Sequence, residues 1–270
     1  MSNAVTGYPR WEGQLSRMPP LWSIAVQEVR RAYNDQWVRA ALILAFGWAV
    51  ISIMPYFNGP ARLSVAAFEL FLGFIRWAAL GVAAIMAGTA LLDDHKKGAL
   101  ELYLSRSVTP WSYLAGKVVA VFGLTFLTIF GPALIFYGAS FLGIEERPEG
   151  WAWVILGAAG YAAIWALVVT GLGLGVSNLV RSSRSASILL FAGVASLDII
   201  LGSILGAITD TDLLRVVSPM TSLEQQSTWL FGSEAPFAFP WWWGLIALGI
   251  YAAIGWMLVY TRRPRVRGVE

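Results

Sequence analysis

The chain has no cysteine and a single histidine, His95, in 270 residues. Without cysteine there is no disulfide framework and no thiolate metal site. One histidine cannot supply both axial ligands of a bis-histidine haem, so a haem-carrying anchor is set aside. Charge is also scarce: 13% of residues are charged, against about 25% in a soluble domain. The short segments of alternating polarity that build a membrane β-barrel are missing. No G-x-x-x-x-G-K-[ST] occurs, so nothing here can cradle the phosphates of ATP. There is no apolar core of signal-peptide type near the start, and no cleavage is expected.

What is present is apolar surface. Hydrophobic residues make up 57% of the chain and the mean hydropathy is +0.64. Long uniform apolar runs recur, and runs of about 18 or more residues read as membrane spans. The expected fold is an all-α integral membrane protein with six transmembrane helices, at about 38–57, 68–92, 113–142, 151–179, 186–208 and 241–260. The chain reads as one domain, 1–270, with a polar tail at 1–18. Pro19 and Pro20 suit a first helical turn. At 20–36 an amphipathic pattern follows, with Trp22, Val26, Val29 and Tyr33 on one face. That pattern predicts a helix lying along the membrane surface. Segment 209–240 is too polar to span and too apolar for a loose loop. Its acids Asp210, Asp212, Glu224 and Glu234 are expected to face outward.

Six spans put both termini on one side. Of the nineteen Lys and Arg, fifteen fall on that side: Arg10, Arg17, Arg30, Arg31, Arg39, Lys96, Lys97, Arg106, Lys117, Arg181, Arg184 and four arginines beyond residue 261. Arg62, Arg76, Arg147 and Arg215 fall elsewhere. By the positive-inside rule both termini are cytoplasmic. Trp151, Trp153 and Trp241 to Trp243 are then expected in an aromatic belt at the outer interface.

Between spans 2 and 3 lies LLDDHKKGALELYLSRSVTPWSYLAGK, residues 91–117. It is charged, yet Leu100, Tyr103 and Leu104 share one helical face. Asp93 and Asp94 stand near the helix start, where the dipole favours negative charge. An amphipathic helix with an apolar edge in water calls for a protein partner.

This segment resembles the cytoplasmic loop between spans 2 and 3 of the ABC-2 type transporter permeases. That pattern is an acidic residue, Gly-Thr-Leu-Glu, Leu-Leu-Ser, Pro-Val-Ser-Arg and a closing Gly-Lys. Here Asp94 holds the acidic position, and Lys97 stands just before the run. Gly98-Ala99-Leu100-Glu101 and Leu104-Ser105 follow, with Tyr103 on the apolar face. Ser107-Val108-Thr109-Pro110 and Gly116-Lys117 complete it without a gap. Ala99, Ser107 and Pro110 depart from the pattern. Val217-Ser218-Pro219-Met220-Thr221 is similar to the Asn-Pro-Leu-Thr element that the family often carries before span 6.

The resemblance implies a half-transporter. The loop would be a coupling helix docked on a separate ATP-binding cassette ATPase subunit. ATP and Mg would sit on that partner, and this chain would bind no cofactor or metal and would not itself be an enzyme. A second permease copy or a paralogue would complete the pore, with Pro219 and Thr221 in its outer cap. The helix at 20–36 would be the family's connecting helix, and 209–240 would dip back into the membrane. The expected setting is the cytoplasmic membrane of a bacterium or archaeon, with transport directed outward and no nucleic acid involved.

Two ionisable residues fall within the spans. Asp198 near the middle of span 5 costs about 2.5–3.5 kcal/mol on insertion scales unless partnered. Arg76 in span 2 is the basic residue nearest its depth. Either the two pair, or Asp198 lines a translocation path. Gly171, Gly173, Gly175, Gly202 and Gly206 allow close helix approach. A membrane anchor or assembly subunit of another complex would explain the six spans, though not the register of 98–117. A channel or secondary carrier would favour more midplane charges.

Overall fold

The computed structural model describes residues 19–58, 64–96, 109–141, 151–205, 208, 214–233 and 236–261. Among these residues there is no strand, and the expected all-α architecture is present. Six helices are long and apolar enough to cross a membrane. They match the expected spans to within about one turn.

Helix α1, Pro20–Asn34, has 15 residues. At 1.5 Å per residue it is about 22 Å long, too short to span. Asp35 ends it with an extended backbone, φ −73° and ψ 128°. Its Oδ1 accepts the N–H groups of Trp37 at 2.8 Å and Val38 at 3.3 Å, so it also opens α2, Gln36–Asn58. One residue thus separates α1 from α2. The following spans are α3, Val65–Lys96, α4, Pro110–Ala139, and α5, Trp151–Ser177. Helix α6, Ser183–Leu197, continues as a π-helix over Asp198–Leu205. A 3₁₀ turn, Arg215–Val217, leads into α7, Pro219–Phe231, and α8, Trp241–Thr261, is the last span.

Helices α3 and α5 form the centre. Helix α3 packs against α2, α4, α5 and α6, and α5 against α3, α4, α7 and α8. Phe68 is fully buried and meets Phe136, Trp151 and Phe231 edge-on. Trp151 is therefore a core residue rather than part of the expected belt. Its indole N–H donates to Ser140 at 2.9 Å, which frees the ring to pack in apolar surroundings. Trp153 remains exposed. Helices α2 and α6 sit outside and present Ile43, Leu44, Ile51, Ile188, Leu189 and Ile199 outward.

The closest helix crossing joins α5 to α8. A Cβ on Gly255 would overlap the backbone of Gly171 and Leu172, and one on Gly175 would lie 2.7 Å from the Gly255 carbonyl oxygen. Between apolar helices in lipid, such backbone approach supplies the van der Waals contact that drives association. Gly255→Val should therefore lower thermal stability of the detergent-solubilised protein, by about 1–3 kcal/mol or more. Gly249→Ala, where a Cβ meets nothing, should leave the melting temperature unchanged.

Candidate functional site

Two polar clusters lie within the bundle, and each ties a short helix to the long ones. The first gathers around Lys117 on α4, whose side chain is 1% exposed. Its ammonium pairs with Glu28 of α1 and, at 2.6 Å, with Asp94 at the end of α3. The Tyr113 hydroxyl donates to the same Asp94 oxygen at 2.9 Å. Arg31 of α1 pairs with Asp93, and with Asp94 at 3.4 Å. Ser183, the first residue of α6, donates to Asp93 at 3.1 Å. Four helices are thereby joined through two cations and three carboxylates.

The local sequence explains why α1 can reach Lys117. Ile24, Ala25, Glu28 and Ala32 are buried on one face of α1. A Cβ on Gly116 would fall 2.8 Å from the Ile24 side chain and 2.9 Å from the Leu21 carbonyl. Glycine at 116 lets α1 lie directly on α4, and the next residue meets Glu28. Thr109 caps α4 by accepting the N–H of Ser112 at 3.2 Å, and Pro110 occupies the first helical position. Asp94 and Lys117, the acidic and closing positions of the resembled segment, are thus in direct contact. Lys97, Gly98, Leu100, Glu101, Tyr103, Leu104 and Ser105 lie outside the described residues.

The second cluster surrounds α7. Ser218, Thr221, Ser222, Gln225, Gln226, Ser227 and Thr228 are all buried. Ser218 caps the helix by accepting the N–H of Thr221, and Pro219 is its first residue. Gly232 closes it with φ 69°, the left-handed conformation that favours glycine. Helix α3 holds α7 through Arg76, which donates to the Met220 carbonyl at 3.1 Å and to Glu224 at 3.3 Å. Glu69, about two turns before Arg76 on α3, accepts from Ser233 at 2.6 Å. Helix α8 holds it through Gly244, whose Cβ would meet Gln226 at 2.7 Å and the Ser222 carbonyl at 2.9 Å. Gln225 donates to the Phe239 carbonyl at 2.7 Å, and Gln226 to that of Trp241.

Asp198 is the first residue of the π-helix, and its Oδ1 accepts from Ser218 at 2.6 Å and Thr221 at 3.4 Å. A Cβ on Gly202 would lie 2.8 Å from the Thr221 hydroxyl and 3.3 Å from Asp198. The bare glycine turn and the carboxylate together seat the start of α7. Of the two alternatives for the intramembrane charges, a direct Arg76–Asp198 pair is not formed. Arg76 turns to Glu224 and the α7 backbone instead, while hydroxyls satisfy Asp198. Glu224 was expected on the outer surface and is drawn back to α3. Pro219 and Thr221 belong to this buried helix.

Sequence reasoning missed Glu28, Asp93, Glu69 and Glu224 as partners. The signal for α7 was present in Ser218-Pro219 at its start and Gly232 at its end. Comparison with protein-family models and with curated proteins finds no match.

Removing the Lys117 charge strands Glu28 and Asp94 in a dry site. Lys117→Met should cost about 3–5 kcal/mol in denaturant unfolding. Adding Glu28→Gln and Asp94→Asn should restore most of that loss. At the other cluster, Asp198→Asn keeps an acceptor for Ser218 and Thr221 and should melt like the parent. Asp198→Leu orphans both hydroxyls and should cost about 1–3 kcal/mol.

Proposed function

We propose that this chain is the membrane-spanning permease subunit of an ATP-binding cassette transporter of the ABC-2 type. A separate ATPase subunit supplies the energy, and a second copy or a paralogue completes the pore. The observation that carries this reading is the contact between Asp94 and Lys117 at 2.6 Å. It closes the base of the segment whose sequence resembles a coupling loop and fixes that base to α1, α3 and α4. A push on such a segment reaches three helices together instead of being absorbed at a slack hinge. The six helices long and apolar enough to span, the short helix α1 and the polar inserted helix α7 are all consistent with it. ATP hydrolysis belongs to the partner, since this chain has no phosphate-binding loop. Both termini and the 97–108 segment face the cytoplasm in this reading, the membrane is that of a bacterium or archaeon, and transport runs outward.

Co-purification from the native membrane tests it. The tagged chain, gently solubilised, should bring down a P-loop ATPase in equal amount. Leu100→Glu, Tyr103→Glu and Leu104→Glu together should release that ATPase while the chain still folds and inserts. Recovery of a redox or assembly complex in its place would sink the proposal in favour of an anchor subunit.

A further inference from the structure

Helix α1 has three sectors, not two. At about 100° per residue, Leu21, Ile24, Ala25, Glu28, Arg31 and Ala32 share the sector packed on the bundle. Trp22, Val26, Val29 and Tyr33 share a second sector. Trp22 is 54% exposed, Val26 38% and Tyr33 61%, while Val29 is partly buried against the bundle, so the stripe is open at Trp22, Val26 and Tyr33 among the described residues. Ser23, Gln27, Arg30 and Asn34 form the third, exposed and polar. Arg30 stands on the border between the apolar and polar sectors. That is the position of the phosphate layer for a helix lying in a membrane interface.

Among the described residues, charge at this corner is unmatched. Arg30 and Arg39 are exposed, and neither makes an ion pair with a described residue, in contrast to Arg31, which is committed to Asp93 and Asp94. Arg39 lies in the first turns of α2, just past the Asp35 corner and beside Trp37, which is 67% exposed. An apolar stripe open at three positions, with Arg30 at its border and Arg39 just past the corner, neither ion-paired to a described residue, fits one occupant: the interface of a leaflet that carries anionic phospholipid. Zwitterionic lipid would satisfy the stripe but would leave the two arginines without net counter-charge.

We propose that α1 and the first turns of α2 bind anionic phospholipid. Trp22, Val26 and Tyr33 insert among the acyl chains, and Arg30 and Arg39 hold lipid phosphates. The interaction stands whether or not an ATPase docks on the chain. It bears on the same mount, because α1 is keyed to Lys117 through Glu28.

The test is lipid selectivity of the full chain reconstituted in phosphatidylcholine vesicles, read by spin resonance of spin-labelled phosphatidylglycerol and phosphatidylcholine. The parent protein should favour phosphatidylglycerol. Arg30→Gln with Arg39→Gln should weaken that preference, by about fivefold for each arginine at low salt. Both side chains are exposed and make no ion pair with another described residue, so the fold should be kept, as circular dichroism would check. Arg30→Lys with Arg39→Lys should retain most of the preference. No preference in the parent would overturn the proposal. So would a preference that survives the double glutamine variant, or one that disappears only with Arg181→Gln and Arg184→Gln in the turn before α6.

Discussion

An ammonium group with almost no exposure can be stable inside a protein only if its charge and its hydrogens are matched. Lys117 meets that condition with the carboxylates of Glu28 and Asp94 and with the face of the Tyr113 ring, 5.3 Å away. Much of one end of the bundle follows from it. Glu28 must face the bundle, so α1 must present the sector that holds Ile24 and Ala32. That leaves Trp22, Val26 and Tyr33 outward. Asp94 must reach back from the end of α3, so the ends of α3 and α4 are held together where the intervening segment leaves them. Arg31 and Ser183 then balance the second carboxylate, Asp93, and bring in α6. Desolvating five ionic groups is expensive, and a packed apolar cluster of the same volume would be no less stable. What ions add is direction: each bond fixes one helix end against another.

The opposite end is built differently. Helix α7 carries many hydroxyl and amide groups into buried positions, and most of the matching is by neutral hydrogen bonds and missing side chains. Ser218, Gln225 and Gln226 bond outward from α7 to Asp198 and to carbonyls beyond its end. Gly202 and Gly244 remove the Cβ atoms that would hold the neighbouring helices away. Gly157 does the same on α5, where a Cβ would meet Phe231 at 2.6 Å. Arg76 brings a cation to α7, and Glu224 of α7 answers it at 3.3 Å from a partly exposed position. Such an arrangement accommodates a polar helix among apolar ones without leaving its hydroxyls orphaned.

How much of this was legible in the sequence depends on the kind of information each feature needs. The spans were readable because length and uniform apolarity are local properties. Helix α1 was readable for the same reason: Trp22, Val26, Val29 and Tyr33 repeat at helical spacing. Partner choice was not. Arg76 and Asp198 are at comparable depths, which made them natural partners, but depth along a helix says nothing of the direction each side chain faces. The actual partner, Glu224, arrives on a helix that the sequence presented only as a mixed segment. Lys117 was singled out by resemblance, yet Glu28 lies 89 residues away and nothing local links them. Trp151 was assigned to the interface by its position at a span end. Its hydrogen bond to Ser140, eleven residues back, is what turns it into a core residue.

Helix α3 connects the two ends. It carries Asp93 and Asp94 at the ionic cluster and Arg76 and Glu69 at the α7 cluster, and Ala78 to Ala90 between them pack tightly on α5 and α6. A Cβ on Gly88 would lie 2.6 Å from the Ser187 hydroxyl, and Gly173 on α5 would meet Ala87 at the same distance. Small residues therefore line the middle of α3 where its neighbours press closest. A helix so confined along its length has little freedom to bend independently of α5 and α6. Asp94 and Arg76 are thus joined through one packed helix, and at the Arg76 end α7 is held by the ion pair to Glu224 as well as by neutral hydrogen bonds. The end near Asp94 is tied mainly by ion pairs, and the end that holds α7 mainly by neutral hydrogen bonds.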